Sequence, residues 1–168
     1  MLSPGRVTSR PPFHTGNMKI NSKNKGNTFE RQVARHLSLW YSNGVSEVVF
    51  ERRTAGSGGA PRDLSGASGI TGDIFAVKQA GVEFLQDLNI ECKFYKDLKG
   101  DLWRWIAGEH SQIDEFIAQA QVPHKEHWML ILKSNNYPTL TITNRRFGDN
   151  TSQVNGAYIF PFKYFLNY

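Results

Sequence analysis

Asp73, Glu91 and Lys93 are the residues of this chain best suited to chemistry. Glu91 and Lys93 stand two apart in "ECK", so on a strand both side chains leave one face while Cys92 points the other way, into the core. Asp73 follows Gly72 at the start of another apolar segment. Two carboxylates sharing a face repel unless a cation lies between them. Hard oxygen ligands at an incompletely filled site suit Mg²⁺ or Mn²⁺. Such an ion lowers the pKa of a bound water and stabilises charge developing on a phosphate. Lys93 adds a point charge that can orient the water or neutralise the transition state. These are the parts that in-line hydrolysis of a phosphodiester needs. The competing reading is a same-face ion pair between Glu91 and Lys93, worth ~0.2–1 kcal/mol. Context weighs against it, because "LNIECKFY" is otherwise a core-like strand and charges there require a purpose.

The elements that must position these groups follow from periodicity. Phe29, Val33, Leu37 and Tyr41 recur every four residues and predict a helix over Thr28–Tyr41, with Asn27 as N-cap, Glu30 as a capping glutamate and Gly44 beyond the end. A strand is expected over 47–53, with Val48 and Phe50 on one face and Val49 and Glu51 on the other. The Gly/Ser-rich stretch 54–72 reads as a long loop, a class that is usually functional. Strands over 72–78 and 88–95, with a turn at Ala80-Gly81, predict an antiparallel hairpin that brings Asp73 beside Glu91. Ile113, Phe116, Ile117 and Ala120 mark a helix over 111–121. "HWMLILK" (127–133) reads as a buried strand, "TLTIT" (139–143) as a more exposed one, and the aromatic C-terminus as a strand and short helix. The order predicts an α/β fold, a mixed central sheet flanked by helices.

Composition bounds the rest. With 168 residues and 39% hydrophobic content, the chain suits one domain with a real core. We expect a disordered basic arm over 1–22 and a single domain over 23–168. No apolar run approaches the ~18 residues needed to span a membrane. A single cysteine excludes an internal disulfide and a CxxC zinc site. There is no GxxxxGK[ST] motif, so no nucleotide cofactor is expected. The net charge is +5, and residues 1–35 hold seven Lys or Arg against one acid. That asymmetry predicts either a polyanion partner or a solvated tail. The cytoplasm of a prokaryotic or phage-infected cell is the simplest location.

Taken together, "KGNTFERQVARHL", "FERRTAGSG", "GDIFAV" and "NIECKFYK" resemble, in order and spacing, the archaeal-type Holliday-junction resolvases of the PD-(D/E)xK nuclease superfamily. The resemblance spans roughly residues 25–135. It implies a restriction-endonuclease-like core and Mg²⁺-dependent cleavage of branched double-stranded DNA by a homodimer. It assigns Asp73, Glu91 and Glu30 to the metal, adds Lys93 and the loop residue Ser57 to the catalytic set, and gives Lys25, Arg31, Arg52 or Arg53, and Gln112 to DNA. Three departures stand out, one being that the loop between Arg53 and Asp73 is longer than the family's. Gly72 replaces the proline of the superfamily name, and 97–110 reads as an insertion. Trp103 and Trp105 within it could stack on bases or pack half in the core. The dimer contact is expected on 127–133 or on the aromatic C-terminus.

Overall fold

A computed structural model of the chain describes residues 22–45, 47–53, 72–149 and 151–166. The apolar stripe does make a helix, α1, but it runs Ser22–Tyr41. Asn27 is therefore inside the helix rather than its cap, and Ser22 belongs to the helix rather than to the arm. The added first turn is held by side chains. Thr28 Oγ1 donates to the Asn24 carbonyl at 2.8 Å, and Lys25 lies over the Phe94 ring. Gly44, at φ +82°, follows the helix end and donates to the Leu39 carbonyl.

Two short strands follow, β1 (Phe50–Arg52) and β2 (Ile74–Ala76), and pair antiparallel with each other. The expected alternation fails just before β1. Val49 and Phe50 are both buried while Val48 is exposed. The buried Ser38 hydroxyl explains this, because it accepts from both Val49 N and Phe50 N. It thereby draws two consecutive amides to one side.

The hairpin predicted for 72–95 does not form. Residues 79–85, including Ala80 and Gly81, are a helix, α2 (Gln79–Leu85). Gly81 lets α2 sit against the first two strands, since a Cβ there would lie 2.7 Å from Val49 Cγ1. The next strand, β3 (Leu88–Phe94), runs parallel to β4 (His127–Lys133). Parallel neighbours need a long crossover. It is supplied by α3 (Leu98–Ile106), which occupies the insertion, and α4 (Gln112–Ala120). Ser111 caps α4 in a capping box with Asp114.

The remaining strands are β5 (Leu140–Thr143), β6 (Ser152–Val154) and β7 (Ala157–Pro161), ahead of a 3₁₀ turn at Phe162–Leu166. They complete a mixed five-stranded sheet in the order β3-β4-β5-β7-β6. β5 lies between β4 and β7, so Thr141, Ile142 and Thr143 are fully buried rather than exposed. β6 had no apolar pattern to announce it.

The fold is thus the expected mixed α/β sheet flanked by helices. Alternation along β4 divides the core in two. Met129 and Ile131 pack with Leu88, Ile90 and Cys92 beneath Phe29, Val33 and Leu37 of α1. Trp128, Leu130 and Leu132 face Leu98 and Trp105 of α3 and Ile113 and Ala120 of α4. β4 is buried on both faces and cannot be the dimer contact expected from its sequence. The C-terminal aromatics Phe160, Phe162 and Phe165 likewise turn inward. Among the described residues no helix is long and apolar enough to cross a membrane.

Among the described glycines, Gly72 is the most closely approached. It has φ +85°, and a Cβ there would stand 2.5 Å from both the Ile90 carbonyl oxygen and Asn89 Oδ1. Proline, with φ fixed near −65°, cannot replace it, which accounts for the departure from the superfamily name. Gly72→Ala is expected to cost roughly 2–4 kcal/mol, from backbone strain together with overpacking. Urea denaturation measures this, and a variant as stable as its parent would contradict the account.

Candidate active site

Backbone bonds across the edge of β3 bring the sequence-predicted acids together without a hairpin. Asp73 N donates to the Ile90 carbonyl at 2.9 Å, and Arg53 N donates to the Asp73 carbonyl at 2.7 Å. The Asp73 carboxylate then accepts from Cys92 N at 2.8 Å. Asp73 is thereby pinned between Ile90 and Cys92, alongside Glu91. Lys93 Nζ bonds Glu91 Oε1 at 2.6 Å, as strand neighbours two apart can. Cys92 points into the core beneath α1.

Glu30 reaches the same region from α1. It is not a cap. It lies mid-helix, and its Oε2 accepts from Arg52 Nη1 of β1 at 3.4 Å. Both partners are largely buried.

The electrostatics tie the three acids together. Burial, and then the charge of Asp73, push the Glu30 carboxyl above its usual range, against the pull of Arg52. Burial also raises Glu91, with Asp73 and Glu30 adding to it, while the bond from Lys93 opposes the rise. The Cys92 thiol is pushed well up by its burial and by the same three carboxylates. It stays a neutral thiol and is no nucleophile.

Among the described residues no three His, Cys, Asp or Glu side chains form a ready-made metal cluster. A pair of carboxylates left partly uncompensated is a different kind of site. Magnesium, which keeps several waters and takes one or two protein carboxylates plus substrate oxygens, fits such a pair. Asp73 and Glu91 are the residues that could hold such an ion.

The other predicted residues divide. Arg31 and Arg52 line one cleft of about 510 Å³ with Arg35, Ser38, Glu47 and Val48. Arg35 was missed in the sequence, although its i+4 spacing from Arg31 was the available signal. Arg53 is exposed at the end of β1. Lys25 rests on Phe94. Gln112 begins α4, four elements further along the chain than Asp73, and its side chain bonds Glu115. Ser57 lies outside the described residues, as does most of the basic arm. Of the tryptophan pair, Trp105 is core and Trp103 is exposed. Asn89 was read only as part of a core strand, yet its buried amide caps the last carbonyl of α4 at 2.7 Å.

Comparison with known proteins adds one decisive match. Residues 21–156 fit the family described as "Phage putative PDDEXK endonuclease". The chain belongs to this family. The family is described as one of endonucleases, and the mixed sheet with flanking helices is consistent with the corresponding restriction-endonuclease-like fold. The matched span contains Glu30, Asp73, Glu91 and Lys93, all the clefts' arginines and the insertion helix α3. No curated protein and no solved structure gives a significant match.

The crowded acids set a pH dependence. Glu30 and Glu91 bind protons more readily folded than unfolded, so their contribution to stability is full below the ordinary glutamate value of 4.5 and is lost as pH rises through their higher folded values. At pH 7 this burden is present. Asp73→Asn removes one of the repelling charges and can keep the bond from Cys92 N. In EDTA at pH 7 it is expected to stabilise the protein by roughly 0.5–1 kcal/mol, a gain that shrinks as pH falls through the raised folded values of Glu30 and Glu91 and is gone below 4.5. Denaturation curves across pH decide the matter, and a less stable Asn variant at pH 7 would contradict it.

Proposed function

We propose that this endonuclease is metal-dependent and hydrolyses phosphodiesters of branched double-stranded DNA, four-way junctions foremost, with Mg²⁺ or Mn²⁺. It acts as a homodimer in the cytoplasm of a prokaryotic or phage-infected cell. The observation that carries the chemistry is the meeting of Asp73, Glu91 and Lys93 at the edge of β3. Asp73 and Glu91 would hold a divalent cation, which when bound would activate a water and neutralise charge on the phosphate. Glu30 adds negative charge beside it and positions Arg52.

Lys93 presents its ammonium to the phosphoryl oxygens from its place on Glu91. Arg52, Arg31 and Arg35 offer guanidinium groups to phosphates along the neighbouring cleft, with the planar geometry that suits them. The protein reads backbone position and shape more than base sequence. The junction preference rests on the order of motifs shared with the archaeal-type resolvases. The homodimer rests on the near two-fold symmetry of such a junction, which two symmetry-related sites would match.

The test is cleavage of a labelled four-way junction beside a linear duplex of the same sequence, in Mg²⁺ and in EDTA. Paired, symmetric nicks on the junction and none in EDTA are expected. Asp73→Asn, Glu91→Gln and Lys93→Ala should each slow cutting at least ~100-fold while DNA binding persists. Equal cutting of linear duplex would discard the junction preference and leave another PD-(D/E)xK endonuclease. No cutting of any DNA with any divalent cation would overturn the nuclease reading.

A further inference from the structure

Lys93 has a second neighbour besides Glu91. Its ammonium lies 5.7 Å from the centre of the Phe116 ring, on the face of that ring. Phe116 belongs to α4, the helix packed on the face of β3 from which Glu91 and Lys93 project. The ring is itself held. Tyr95, the residue after β3, meets it edge-on with centroids 5.5 Å apart. The Tyr95 hydroxyl donates to Asp101 Oδ2 of α3 at 2.7 Å. The other Asp101 oxygen accepts from the Gln112 backbone at the start of α4, at 3.5 Å. Asn155 Nδ2 bonds the Trp105 carbonyl and anchors the far end of α3. An unbroken set of contacts therefore runs from the insertion helix through Asp101, Tyr95 and Phe116 to the ammonium of Lys93.

We propose that Phe116 is a positioning residue for Lys93, and that α3 is retained as the brace that holds Phe116 and Tyr95 in place. This rests on the nuclease reading above. A lysine side chain has four rotatable bonds and a strongly hydrated head, so it needs more than one contact to stay in place. Glu91 alone is a poor fixture, because its carboxylate is also the candidate ligand for a cation. The ring face attracts the ammonium by its quadrupole, makes no demand on the carboxylates, and leaves the donors of the ammonium free for a phosphate. The Tyr95–Asp101 bond keeps the ring from rotating away.

The experiment compares the full-length wild type with Phe116→Leu, Phe116→Met, Phe116→Tyr and Tyr95→Phe. Two readouts are taken: steady-state cleavage, and the NMR shift of the Lys93 ε-methylene, which the ring current of Phe116 moves in the folded protein. In Phe116→Leu, kcat should fall roughly three- to five-fold with KM unchanged. Phe116→Tyr, which keeps the ring face, should restore it, and Tyr95→Phe should lie between. The Lys93 shift should be lost in the Leu variant and kept in the Tyr variant. Phe116→Met supplies the same comparison with an unbranched, more adaptable side chain if the Leu variant fails to fold.

A Leu or Met variant with wild-type kcat, an equal loss in the Tyr variant, or a Lys93 shift indifferent to the ring would each overturn the proposal while leaving the nuclease reading intact. A wild type that cuts no DNA would overturn that reading, and with it any catalytic role for the brace.

Discussion

The contact on which the site depends is the crossing of Gly72-Asp73 over the edge of β3. The backbone is close enough there that no Cβ fits at position 72. Because of that approach, Asp73 can bond Ile90 through its amide and Cys92 through its carboxylate. The second bond holds the carboxylate at the Cys92 amide, between Glu91 and Cys92, whose side chains point to opposite faces of the strand. Glu91 and Lys93 are then at hand on one side, and Cys92 closes the core on the other. A single register along β3 places the polar pair at the surface of the site and its apolar neighbours under α1.

The consequence is electrostatic. Three carboxylates come from three separate segments, α1, the approach to β2 and β3, and two of them, Glu30 and Glu91, are raised by burial and by the charge of Asp73. The fold offsets part of this with Arg52 on Glu30 and Lys93 on Glu91. It does not offset all of it. Sites that keep such a burden are candidates for function, since the missing positive charge is what a divalent cation would bring. The arginines of the neighbouring cleft extend the same logic away from the centre. They are cations on the helix and strand that carry Glu30 and Arg52, and they share the cleft with Glu47 and Glu51.

Local chemistry made much of this legible in the sequence. The "ECK" tripeptide in an apolar strand, the glycine before Asp73 and the stripe of α1 each declare themselves, because strand alternation and helical spacing are properties of neighbouring residues. What escaped depends on distant partners. Asp73 meets Glu91 as expected, but across a strand edge rather than a hairpin turn. Gly81 looked like a turn and is instead a contact surface for Val49. Val48 and Val49 exchanged faces because of a serine hydroxyl eleven residues away from Val49. The burial of β5 was hidden because its covering neighbour, β7, arrives later in the chain and is separated from it by β6, a strand with no apolar pattern. Glu30 read as a cap because its spacing from Asn27 is that of a cap. Only the extra turn at the start of α1 moved it to mid-helix, where it meets Arg52.

The claim at the centre of this account is that Asp73 and Glu91 together hold one divalent cation. Calorimetric titration of the protein with Mn²⁺ in the absence of DNA tests it without reference to cleavage. The account predicts one site per chain, lost in Asp73→Asn and in Glu91→Gln and weakened as pH falls into the raised titration range of Glu91. Binding of equal strength in both variants would place the metal elsewhere and contradict it.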